Sequence, residues 1–193
     1  TLIVGDGSNN SDISSLTTNN ATLRFVTATN TTQTHAGPIH GTGTMQKQGS
    51  GTLILGDANT FTGSVNLGAQ NVNGGALRIT HGGALGSTAG QTFIGGGTSD
   101  ARLEVLGGII VPEPLTLAQD SGTIVHVLNV AATNTLTGNV TLNGGGNTWT
   151  LQSDAGRIVF TGDFTSSASG FTRPIQVQGD GDGCPLHPHQ LRH

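Results

Sequence analysis

Short runs of alternating apolar and polar residues, separated by glycine-rich turns, fill most of the chain, and no segment carries an apolar period of 3.6 residues. The clearest run is Gly51 to Leu67. Leu53 and Leu55 alternate with Thr52 and Ile54, a turn occupies Gly56 to Thr60, and Phe61, Val65 and Leu67 resume the rhythm with Gly63 at a bend. In 22–27, Leu23 and Phe25 face one side and Thr22, Arg24 and Val26 the other. The same alternation predicts strands at 1–4, 13–16, 77–79, 92–94, 103–106, 109–111, 115–117, 123–128, 140–142, 149–151 and 158–164. Residues 28–36 read as a polar, threonine-rich loop. Pro38 is placed to open a strand at Ile39, and Pro112 and Pro114 put Glu113 in a loop that interrupts the regularity.

The run from Leu53 to Leu67 returns 75 residues later, from Leu128 to Leu142. Seven of the fifteen positions are identical, among them Asn59/Asn134, Thr60/Thr135, Thr62/Thr137, Gly63/Gly138 and Val65/Val140. A phrase that recurs in this way marks a repeat architecture. Strands at this spacing fit a sandwich, a barrel or a solenoid; the internal repeat favours the solenoid, in which each turn buries its apolar residues against the next. The expectation is an all-β solenoid over 1–178 with very little helix. At two to three strands per turn it has on the order of eight turns and, at about 4.8 Å per stacked strand, a length of roughly 40 Å. Its inward positions are Leu53, Leu55, Val65, Leu67, Leu77, Ile79, Leu103, Val105, Val125, Val127, Val140, Leu142, Trp149, Leu151, Ile158 and Phe160. Its end turns, left unpaired, are expected to associate with other copies or with neighbouring segments of a longer chain.

Composition narrows the alternatives. Only 9% of residues are charged and the net charge is −4, while Val, Ile and Thr are plentiful; a disordered chain has high net charge and few β-branched residues. Thirty-two glycines, 29 threonines and 14 asparagines suit a stack whose faces hydrogen-bond without charge. The seven Lys and Arg are scattered and aromatics make up 4%, which argues against a phosphate-gripping stripe or a base-stacking platform, so no nucleic-acid partner is expected. Cys184 is the single cysteine, so no intrachain disulfide forms. No run of about 18 apolar residues exists to cross a membrane as a helix. The chain opens on Thr1 without a visible signal peptide and reads as a piece of a longer or processed polypeptide.

The stretch Gly51-Thr52-Leu53-Ile54-Leu55, followed by Ala58-Asn59-Thr60-Phe61-Thr62-Gly63 and then Gly74-Gly75-Ala76-Leu77-Arg78-Ile79, resembles the autotransporter-associated β-strand repeat, also called the passenger-associated transport repeat. The lead-in Gly41 to Gly49 and the trailing Gly82-Gly83-Ala84-Leu85-Gly86 fit it too, and the segment 69–73 departs from it as an insert. The resemblance covers about 38–87, with a degenerate copy at about 123–145. It implies a right-handed single-stranded β-helix on a secreted or surface-displayed bacterial protein, serving as a stalk or scaffold in adhesion or passenger translocation. The repeat brings no catalytic residues of its own. An extracellular glycan or host surface is the partner class it implies.

Candidate chemistry is sparse. Some β-helices cleave polysaccharides with clustered carboxylates, and Asp154, Arg157 and Asp163 lie on consecutive elements where they would share a face. A carbohydrate-active hydrolase or lyase is therefore the alternative function, and a non-catalytic glycan-binding module with Trp149 as its aromatic platform is another. No cofactor is expected; calcium is the alternative, at Asp180 and Asp182 in Gly179–Gly183 or at Asp6, Ser8, Asn10 and Asp12, but the ion needs six to eight oxygens. His187, His189, His193 and Cys184 lack the spacing of a structural zinc site. They belong to an atypical tail, 179–193, that reads as a disordered linker or a foreign end. His81 and His126 are the histidines available to a Ser-His-Asp arrangement, without a G-x-S-x-G elbow; His35 and His40 flank a loop.

Overall fold

The computed structural model describes residues 1–10, 13, 16–68, 72–95, 100–118, 124–144, 148–167 and 174–179. Among them there is no helix, and every strand pairing is parallel. The chain winds into a β-solenoid. An eight-stranded sheet forms one face and a seven-stranded sheet the second, and the chain alternates between them. A third face holds the short strands Thr17–Thr18 and Ile39–His40 at one end, and Ile110–Val111, Thr133–Leu136 and Arg157–Phe160 at the other. Between these, backbone hydrogen bonds from Thr60 to Ile39, Thr62 to Gly41 and Ser87 to Phe61 continue the third face. One turn takes between 20 residues, from Met45 to Val65, and 27, from Val65 to Thr92.

The interior is built of columns. In the first sheet Leu23, Met45, Val65, Thr92, Leu115, Val140 and Phe164 lie one above another, all buried. In the second, Leu53, Leu77, Leu103, Val127 and Leu151 do the same. Period-two alternation puts these side chains inward and leaves Arg24, Gln46, Asn66 and Thr141 on the outer face. Of the expected inward residues, all are buried except Val125, which is half-buried. The cause is a bulge: Val125 pairs with Thr150 and Val127 with Leu151, so His126 is the extra residue and takes a buried place.

One further expectation is corrected. Residues 28–36 are not a loop throughout, because Thr32–His35 is a second-sheet strand with Gln33 and His35 turned inward. The strand expected at 13–16 includes residues 14 and 15, which lie outside the described residues; the next described strand is Thr17–Thr18.

The 75-residue repeat spans three turns. Leu53 leads through Leu77 and Leu103 to Val127, not to its sequence counterpart Leu128, which lies over Glu104 on the other face. A bulge after Asn129 then adds one residue, which brings Asn134 into the position of Asn59. Both asparagines staple a corner. The Asn59 Oδ1 accepts the Ile39 N–H at 2.7 Å, and the Asn134 Oδ1 accepts the Ile109 N–H at 2.8 Å. Their amide groups donate onward to Ala84 O and to Ala131 O and Asn129 Oδ1.

The corner from the third face into the first sheet carries a continuous column of close backbone approaches. Two residues before each inward first-sheet residue stand Gly43, Gly63, Gly90, Glu113, Gly138 and Gly162 in successive turns. A Cβ on Gly63 would lie 2.3 Å from Gly43 O, and one on Gly162 would lie 2.2 Å from Gly138 O. Ala21 holds the same place before Leu23, and Glu113 is the one member of this column with a long side chain; it does not interrupt the stack as the flanking prolines suggested, because Leu115–Leu117 stays in register with the strands on either side.

Candidate functional site

The residues with the most chemistry sit along the corner between the first and second sheets. A cleft of about 330 Å3 opens there, lined by Ser50, Thr52, Gly75, Ala76, Asp100, Arg102, Ile124 and Val125. A neighbouring hollow of about 430 Å3, bordered by Val26, Gln48, Val72 and Asn73, shares Ser50 with it. The lining is mostly small and neutral because the second-sheet strands enter this corner through Ser50, Gly75 and Asp100, each one or two residues before its strand begins.

Asp100 is exposed and its Oδ1 accepts the Gly75 N–H at 3.2 Å. Beside it the outer face of the second sheet holds an ion triad. Glu104 is buried between Arg78, whose Nη2 lies 2.6 Å from Oε2, and Arg102, whose Nε lies 2.7 Å from Oε1. The two arginines remain 32% and 45% exposed. Arg78 and Glu104 are cross-strand partners, so both heads meet above the sheet and cover the carboxylate. Removing one arginine would leave a buried carboxylate half paired, the costly way to break such a group.

Behind the cleft, Lys47 occupies an inward position of Thr44–Gln48 and is fully buried. Its Nζ donates to Gly74 O and Gly49 O at 2.7 Å and to Gln48 O at 3.1 Å. Its three donors meet three carbonyls at the corner; Gln48 O also accepts the Thr27 N–H, whereas Gly49 O and Gly74 O receive Lys47. Burial pushes the ammonium down to about 7, with the charge of Asp100 opposing that shift. Glu113 is buried nearly three turns further on at a different corner. Neither of its oxygens has a hydrogen-bond partner among the described residues, and burial alone pushes the carboxyl up to about 7.

The residues singled out from sequence are not assembled into a site. Asp154 lies in the turn before Arg157–Phe160 and Asp163 in the turn after it, so a whole third-face strand separates them. Both are exposed, as is Arg157; Asp154 accepts a hydrogen bond from Gln152. Trp149 is no surface platform: it is buried in the interior at the head of Trp149–Ser153. Asp6 is spent on its own turn, accepting the Asn9 N–H at 2.7 Å and the Ser8 N–H at 2.8 Å, and these bonds hold its carboxyl below the usual range. Asn10 is tied to Ala28 N and Thr31. His81 is exposed and caps Gly83 N–H, whereas His126 is buried and accepts the Thr150 N–H at 3.3 Å. His40 meets Thr60 Oγ1, and His35 is buried with its ring 5.4 Å from that of Phe25. Asp12, Asp180, Asp182, Cys184, His187, His189 and His193 lie outside the described residues. Among the described residues no three His, Cys, Asp or Glu side chains come together as metal ligands.

Lys47 was legible as an inward residue, since it follows Met45 by two, but its charge disguised it. Asp100 and Arg102 gave no sequence signal, because their meeting with Ser50 depends on the register of successive turns. Chemically, the cleft offers one exposed carboxylate that also holds the Gly75 N–H, an arginine already engaged, and several hydroxyl and backbone groups. Comparison with protein-family models, with curated proteins and with solved structures gave no match for the chain.

Proposed function

We propose that this chain is a structural stalk or scaffold within a secreted or surface-displayed bacterial protein, acting in adhesion or in passage of a passenger across the outer membrane, without catalysis of its own. The observation that carries this reading is the interior: columns of apolar residues continue from turn to turn through the described length, while the outside is dressed with uncharged Thr, Asn and Gln. The carboxylates support it as well. Glycosidic cleavage uses two carboxyl groups flanking one bond, about 5–10 Å apart; here Asp154 and Asp163 stand at opposite ends of a strand, and Glu104 is held by two arginines. The likeness of 38–87 to the passenger repeat supplies the compartment and the membrane-crossing role.

Two measurements test it. An antibody against this stretch should label intact cells that make the natural protein; labelling only after lysis would overturn the surface assignment. Incubation of the chain with neutral and acidic polysaccharides should generate neither new reducing ends nor the ultraviolet absorbance of an unsaturated product. Turnover of either kind, lost in Asp154→Asn or Asp163→Asn, would replace the scaffold with an enzyme.

A further inference from the structure

The two hollows at the corner between the first and second sheets run on from one another. Thr27, Thr29 and Gln48 border the larger, Gly75, Asp100 and Val125 border the smaller, and Ser50 belongs to both. Their lining comes from five successive turns, at 26–29, 48–52, 72–76, 100–102 and 124–125. With stacked strands about 4.8 Å apart, the four steps between those turns make a groove roughly 20 Å long, parallel to the axis of the solenoid.

The groove hydrogen-bonds almost wholly without charge. Ser50, Thr29 and Thr52 bring hydroxyls, and Gln48 and Asn73 bring amides. Asp100 is the one carboxylate of the lining; Arg102 stands two residues on, its Nε held by Glu104 and its side chain still 45% exposed. Aliphatic patches lie between these polar groups, with Val72 39% exposed and Val26 and Val125 half-buried. One polar atom is left over: Thr27 Oγ1 is buried on the wall of the larger hollow and has no hydrogen-bond partner among the described residues. A buried hydroxyl without a partner is rare in a folded chain, and a bound ligand is one of the things that completes it. Lys47 fixes the floor, since its Nζ ties Gly49, on the wall of the larger hollow, to Gly74, next to Gly75 on the wall of the smaller.

We infer that this groove binds a linear, neutral oligosaccharide laid along the solenoid axis. A sugar chain carries hydroxyls that both donate and accept on its rim and apolar C–H faces between them, the same alternation that the lining presents. Asp100 accepts from sugar hydroxyls, the exposed part of Arg102 donates to them, and the aliphatic patches take the C–H faces. An acidic chain would bring its carboxylates against Asp100. A peptide binds a sheet by adding to a free strand edge, but Thr44–Gln48 and Thr52–Leu55, which flank the groove, are each paired on both sides. The inference rests on the non-catalytic reading above in one respect: the sugar is held and not cut.

Isothermal titration of the full chain with the malto-, cello- and chito-oligosaccharide series is expected to show affinity for at least one series. That affinity should rise from the mono- to the tetrasaccharide and then level off as the groove fills. Asp100→Asn keeps an acceptor for the Gly75 N–H and loses the charge, so it should weaken binding about tenfold. Thr27→Val removes the unpartnered hydroxyl without changing the shape of the side chain. It should weaken binding several-fold while the melting temperature holds or rises; a hydroxyl with a purely structural role would do the reverse. Thr141→Ala, on the outer face of the first sheet, should bind as the natural chain does. Three results would each overturn the groove: no Kd below about 1 mM for any of the three series, undiminished binding by both Asp100→Asn and Thr27→Val, or tighter binding of oligogalacturonides or of a Gly-Ser peptide. Mass spectrometry of the probes after incubation separates the two readings. Sugars bound but shortened would overturn the non-catalytic role and leave the groove standing, whereas sugars intact and unbound would overturn the groove alone.

Discussion

Burial pushes the Glu113 carboxyl up to about 7, from an ordinary value near 4.5, and no charged group contributes to the shift. A folded value above the unfolded one means that the folded chain holds the proton more tightly. The stability this brings is complete below about 4.5 and is lost as pH rises through about 7. Lys47 works in the other sense. Its folded value, about 7, lies below the unfolded 10.5, so stability is gained as pH rises from 7 toward 10.5 and is absent below. The two windows meet at neutrality, and the joint contribution of these two groups to stability is expected to pass through a minimum near pH 7. Each limb has a slope of up to about 1.4 kcal/mol per pH unit. Urea unfolding at a series of pH values checks this: Glu113→Gln should flatten the acid limb and leave the alkaline limb in place. A stability maximum at pH 7 would contradict both assignments. Lys47→Met removes the alkaline limb and also strands the carbonyls of Gly49 and Gly74, so it should destabilise at every pH.

At the scale of the element, the corner column decides how closely successive turns can lie. A Cβ on Gly138 would stand 2.1 Å from Glu113 O and 2.4 Å from Glu113 C, both backbone atoms that cannot swing aside. Gly138→Ala is therefore expected to cost about 1–3 kcal/mol through forced backbone shifts. Gly83→Ala, whose new Cβ would meet its nearest neighbour at an ordinary 3.5 Å, should cost well under 1 kcal/mol. Thermal melts of the two variants make the comparison, and equal losses would mean that the corners are not in contact. Much of this was readable beforehand: Gly63 and Gly138 recur in the repeat and mark its bends. Strand Thr32–His35 was not, because Gln33 and His35 fill its inward positions and erase the apolar alternation on which strand recognition rests. Nor could a single repeat offset expose the bulges at His126 and after Asn129, since each moves one residue against its neighbour and leaves composition unchanged.

For the whole molecule, period-two alternation and one recurring phrase were enough to indicate stacked turns, because a solenoid repeats a local rule and needs no distant pairing to be guessed. The cleft at Asp100 and Arg102 required the register of four turns, and that register varies between 20 and 27 residues per turn with loop length. A stack of this kind has nearest-neighbour energetics: a coil is held by the coil on each side of it and by little else. Leu77 and Ile79 are covered from both sides, by Leu53 and Leu55 and by Leu103 and Val105. Among the described strands, Leu2–Val4 is paired on one side only. Amide hydrogen exchange on dilute chain should thus be slowest in Ala76–Ile79 and Arg102–Leu106 and quicken toward Leu2–Val4 and Ile175–Gln178. Uniform protection along the stack would show that it opens only as a single unit.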